Sequence, residues 1–86
     1  MRTVELIEEA TRTASAMRYS VRHEWLGGSG GGACEFSGRK WIFVDLALSI
    51  DEQLEQLMLA LRADPAIHLQ ELSDEMINAM DLRRAA

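Results

Sequence analysis

The chain has 86 residues, with nine Lys and Arg against fourteen Asp and Glu for a formal net charge of −5, and it carries a single cysteine. That length holds one modest hydrophobic core and excludes both a second domain and an enclosed ligand cavity, so any site belongs on a groove or loop of the surface. One cysteine excludes an internal disulfide, and the acidic balance opposes a nucleic-acid backbone over most of the molecule.

The N-terminal MRTVELIEEA has acids where a signal peptide has its apolar core, and no apolar run reaches the roughly 18 residues of a membrane helix. A soluble, cytoplasmic protein without a membrane partner is the expectation. In residues 3–17, Val4, Leu6, Ile7, Ala10, Ala14 and Met17 recur at helical spacing with Glu5, Glu8, Glu9 and Arg12 between them, which predicts a first helix capped by Thr3. From Tyr19 to Leu26 the period drops to two, with Tyr19, Val21, His23 and Trp25 on one face, as in a half-buried strand.

Five glycines then fill six positions, Gly27 to Gly32 around Ser29. ACEFSGRKWIFVD follows as a tight hairpin, with Gly38 and Arg39 as the centre of a type II′ turn that sets Phe36 opposite Trp41 and Cys34 opposite Phe43. Strand 41–46 is apolar on both faces and belongs at the centre of the sheet. Ser49 and Glu52 form a capping box ahead of Leu54, Leu57, Met58 and Leu61, and Asp64-Pro65 ends that helix. Residues 65–72 read as an irregular connector or an early helical turn. Ser73 caps a last helix, with Asp74 and Glu75 in its first turn and Arg83 and Arg84 at its far end.

The charge divides along the chain as net −1 over residues 1–17, +2 over 18–44 and −6 over 45–86, so a nucleic-acid role would fall to the middle segment alone. The glycine run has Walker glycine spacing, but Ala33 and Cys34 stand where lysine and a hydroxyl are needed to hold phosphates and magnesium. Gly28, Gly30 and Ala33 match G-x-G-x-x-A, yet the next element is a strand and not the helix that receives a pyrophosphate. A conformational loop is the simplest reading, with anion or peptide contact by bare backbone N–H groups as the alternative.

His23, Cys34 and His68 are the available soft metal ligands, with Asp45 and Asp64 as oxygen donors, and no pair has finger or ribbon spacing. If the first two strands pair, His23 and Cys34 could meet as a base and a nucleophilic thiol. Against this stands a half-buried strand histidine and a small buried hydrophobe. Asp45 near Asp51 and Glu52 offers a carboxylate pair, or simply a strand-end residue and first-turn helix acids. Met58, Met76 and Met80 fill a core or line an adaptable groove.

The segment LGGSGGGACEFSGRKWIFVDLALSIDEQLEQLMLAL resembles a group of small bacterial proteins with a glycine-rich loop, a Cys-containing hairpin, an apolar strand ending in Asp and an S-x-x-EQ helix. That group has no assigned activity, so the resemblance implies none. The order helix, sheet, helix is also similar to the minimal core of zinc-dependent peptidase domains, whose helix after the sheet carries HExxH. Here it reads EQLEQLMLALR, which implies a relative without the metal site.

The expected architecture is α+β across residues 1–86: an N-terminal helix, a three-stranded antiparallel sheet with a tight hairpin, and two C-terminal helices. The expected function is a non-enzymatic binding or protein-interaction module that needs no cofactor or metal and is open to self-association. Its surface would come from Trp25, Gly27, Gly28, Gly30, Gly31, Gly32, Arg39 and Lys40. A cysteine- or metal-dependent enzyme at His23 and Cys34 is the alternative, and anion or nucleotide binding by the glycine loop a third.

Overall fold

The elements follow from their capping chemistry and apolar periods. In the computed structural model, which describes residues 2–82, the chain runs α1 (Thr3–Ala16), β1 (Tyr19–Glu24), β2 (Gly32–Phe36), β3 (Arg39–Asp45), α2 (Ile50–Arg62), a 3₁₀ turn (Pro65–Leu69) and α3 (Asp74–Ala79). The predicted α+β class is the observed one.

Ser49 accepts from the Glu52 N–H while the Glu52 side chain accepts from the Ser49 N–H, so both halves of the capping box form at the start of α2. Ser73 likewise accepts from the Met76 N–H. Asp64 ends α2 in extended backbone and then caps the 3₁₀ turn through the Ala66 N–H. Thr3 does not cap α1: Arg2 holds that position, and the Thr3 hydroxyl donates to Asp51 at the start of α2. The expected helix-terminal Arg83 and Arg84 lie outside the described residues.

The sheet departs from the all-antiparallel expectation. Its order is β1-β3-β2, with β2 antiparallel to β3 but β1 parallel to it, from Tyr19 against Lys40 to Glu24 against Asp45. The physical reason is connectivity: with β3 at the centre, β1 and β2 hold its two opposite edges, and the loop between them leaves β1 and enters β2 at the same end of the sheet. The glycine loop carries the chain from β1 across the end of that central position to β2, and the hairpin then threads β3 back between them.

The hairpin register also differs from the expected one. Ser37 and Gly38, both at positive φ (53° and 76°), form the turn, which is type I′ and pairs Phe36 with Arg39 and Cys34 with Trp41. A Gly38-Arg39 turn would set Glu35 across from buried Ile42. The observed register gives Glu35 to Lys40 and Ala33 to Ile42.

All helices pack on one side of the sheet. Ile42 and Val44 from β3 meet Ala10, Ala14, Met17, Leu57, Ala60, Leu61, Ile67, Met76 and Met80, with Tyr19 and Val21 packed at the margin. Met76 and Met80 are fully buried and fill the core, whereas Met58 is partly buried and lines a shallow surface groove with Glu55, Leu59, Arg62 and Ala79. The shortest dimension of the fold is 17 Å, enough for one helix layer on one sheet. Among the described residues, no helix covers the sheet's other face.

Candidate functional site

The glycine loop is organised around a carboxylate of its own chain. Asp45 closes β3 with no solvent exposure, and its Oδ1 accepts from the N–H groups of Leu26 (2.9 Å) and Ala47 (2.9 Å) while Oδ2 accepts from Gly28 N–H (2.6 Å). Burial pushes the Asp45 carboxyl up, and the donors from Ala47, Leu26 and Gly28 outweigh it, holding the group below the ordinary carboxylate range. Two backbone N–H groups at the start of the loop, those of Leu26 and Gly28, are thus spent on an internal carboxylate.

Gln56 of α2 locks the arrangement from below. Its Oε1 accepts from the Asp45 N–H (2.8 Å) and its Nε2 donates to Gly30 O (2.9 Å). Gly31, at φ +102°, passes so close that a Cβ there would stand 2.8 Å from both Gln56 Cδ and Phe43 O. Nothing in the sequence singled out Gln56, because its partners lie 11 and 26 residues upstream. As a fully bonded anion, Asp45 holds the loop rather than offering a base, and Asp51 and Glu52 belong to the exposed first turn of α2.

The uncovered sheet face gathers the remaining chemistry. Trp41 and Phe43 stack with centroids 5.9 Å apart and planes 20° apart. The guanidinium of Arg39 lies 5.1 Å from the Trp41 centroid and that of Arg22 6.0 Å away, each in cation–π range. Arg22 also pairs with Glu24 at 2.7 Å. Phe36, 71% exposed, and the exposed Cys34 complete the face on β2. An apolar groove runs beside them, lined by Leu26, Gly30, Gly31, Gly32, Cys34 and Phe43.

The other predicted site residues separate. His23 pairs with Val44 on the helix side of β1, whereas Cys34 pairs with Trp41 on the open side of β2, and β3 stands between them. The proposed thiol–imidazole contact required β1 to pair with β2, which it does not. Lys40 points away from Arg39, with its Nζ 3.5 Å from Asp64 and 4.4 Å from the Tyr19 ring centroid. Tyr19 donates its phenol to the same Asp64 carboxylate at 2.8 Å. Desolvation and that bond push the phenol above its ordinary value, and Ala66 N–H with Tyr19 holds Asp64 below its own. Trp25 lies beyond the end of β1 and is 75% exposed. His68 is exposed in the 3₁₀ turn, and among the described residues no three His, Cys, Asp or Glu converge to hold a metal ion.

No helix among the described residues is long and apolar enough to cross a membrane. No protein-family model, curated protein or solved structure matches the chain.

Proposed function

We propose that the chain is a non-enzymatic protein-interaction module that works through the uncovered face of its sheet and the adjoining β2 edge. The observation that carries this reading is the aromatic row of exposed Phe36 with half-buried Trp41 and Phe43, and Arg39 and Arg22 over the indole. Aromatic residues and arginine are the side chains most enriched at interface anchor points. Charge favours a partner segment that is apolar and bears a carboxylate for Arg39, since Arg22 already faces Glu24. Both guanidiniums lie against the indole, so a nucleic-acid base could stack on Trp41 only by displacing one. The lone exposed Cys34 suits a reducing compartment and supports a cytoplasmic location.

A photo-crosslinking residue at Ser20, on the open face beside Trp41, tests the reading in living cells. Protein adducts from this position, lost when Phe36→Ser and Arg39→Glu are combined, are the expected result. Adducts indifferent to those changes, or adducts to RNA, would overturn it.

A further inference from the structure

β2 is the least covered strand of the fold: Gly32 is half-buried, and Ala33, Cys34, Glu35 and Phe36 are all exposed, on both sides of the sheet. It is also an edge, since only β3 pairs with it. The type I′ turn sets the phase of its backbone. Phe36 and Arg39 flank the two-residue turn and exchange both hydrogen bonds, so alternation directs Cys34 and Gly32 toward β3 and turns the N–H and C=O of Ala33 and Glu35 outward. Such an edge is a template for another strand.

We propose that the occupant is the same edge of a second copy, paired antiparallel and centred on Cys34, so that two sheets join into one of six strands. This rests on the reading of the β2 side as an interaction surface and names its partner. The self-pairing is complementary at every position. Ala33 and Glu35 of one copy exchange main-chain bonds with Glu35 and Ala33 of the other, which keeps the two carboxylates from facing each other and leaves each beside its own Lys40.

Phe36 of one copy falls opposite Gly32 of the other, on the face that holds Phe43. A Cβ built on Gly32 meets nothing within 4 Å, and the groove of Leu26, Gly30, Gly31, Cys34 and Phe43 opens at that point. The most exposed aromatic of the hairpin thus fills the apolar groove over the glycine, twice by symmetry, in the manner by which aromatic residues cover glycines across strands. The contact is isologous and uses up both free β2 edges, so assembly closes at two chains. It also extends the row of Trp41 and Phe43 with the partner copy's phenylalanine.

At the centre, the two Cys34 residues form a non-hydrogen-bonded pair, whose Cα separation of about 4.5 Å lies within disulfide reach. This gives a direct probe. Sedimentation velocity over a range of concentrations should show mass rising from 9.6 kDa to twice that value. Diamide, which takes up the two thiol hydrogens as the sulfurs couple, should convert the dimer to a covalent pair on non-reducing electrophoresis. Phe36→Ser removes an exposed side chain without touching the core and should weaken dimerisation about tenfold or more, with the covalent yield falling in parallel. Leu59→Ser, at a 66% exposed position on α2, should change neither.

A single-chain mass up to about 1 mM, where even weak specific association is populated, would overturn the dimer. So would a dimer split by Leu59→Ser but not by Phe36→Ser. Either result leaves the open face to be judged by the Ser20 crosslink, so the two failures are distinguishable.

Discussion

Gly31→Ala isolates the contact on which the loop turns. A side chain at φ +102° costs about 1–3 kcal/mol in backbone strain alone. The new methyl group would also overlap the Gln56 amide and stand 2.8 Å from Phe43 O. If Gln56 swings away, the Asp45 N–H and Gly30 O each lose their bond to its side chain, at about 0.5–1.5 kcal/mol apiece. The total is about 2–6 kcal/mol, a large share of the roughly 5–15 kcal/mol that stabilises an ordinary domain.

Urea unfolding followed by tryptophan fluorescence, at a concentration that keeps the chain monomeric, measures this cost. Gly32→Ala is the matched control: its φ of +105° imposes the same class of strain, but its methyl group meets nothing within 4 Å. Gly31→Ala should therefore exceed Gly32→Ala by about 1–3 kcal/mol, and the excess should shrink in a Gln56→Ala background. Equal costs for the two glycines, or an excess indifferent to Gln56, would refute the account of the loop.

Asp45→Asn puts a donor amide where two oxygens accept three N–H bonds and should lower Tm by about 5–10 °C. Asp45 and Asp64 both titrate below the ordinary carboxylate range, so the folded chain binds fewer protons than the unfolded one. Their contribution is full above about pH 4 and is lost as pH falls below it; acid titration of Asp45→Asn by circular dichroism should show a shallower fall. Ser49→Ala removes one half of the capping box and should cost about 1 kcal/mol in urea unfolding. Arg18 follows the end of α1 at φ +74°, where glycine is favoured, so Arg18→Gly should raise stability by about 0.5–1 kcal/mol.

What could be read from the sequence was local or strongly periodic. The Ser49 and Ser73 caps and the break at Asp64-Pro65 are short-range patterns whose partners lie within three residues. The central place of β3 was legible because apolar residues fill both of its faces, although only the Ile42 and Val44 face is buried and Trp41 and Phe43 stay half-exposed. The turn phase rested on Ser37 taking a positive φ beside Gly38, which its residue type does not announce. Two features depended on distant partners: the parallel course of β1 on the path of the loop, and the function of Asp45 on donors 17 and 19 residues upstream. Trp25 kept the alternation of β1 in sequence, but the chain leaves the sheet after Glu24 to reach the loop, so its ring stays in water.

The glycines at positions 27 to 32 thereby acquire two separable tasks. Gly28 gives its N–H to Asp45, and Gly31 slides between Gln56 and Phe43 O; both hold the loop down on the end of β3. Gly32 makes no such contact, and the empty space over it is part of the apolar groove beside Cys34. A side chain at Gly31 is excluded by the protein itself, whereas one at Gly32 meets open space. The N-terminal half of the run is bound to an internal carboxylate and the C-terminal end opens onto the β2 edge. With the Leu26 and Gly28 N–H groups engaged by Asp45, the loop is held at the end of β3 and delivers β2 to the surface with one edge and an adjoining groove free.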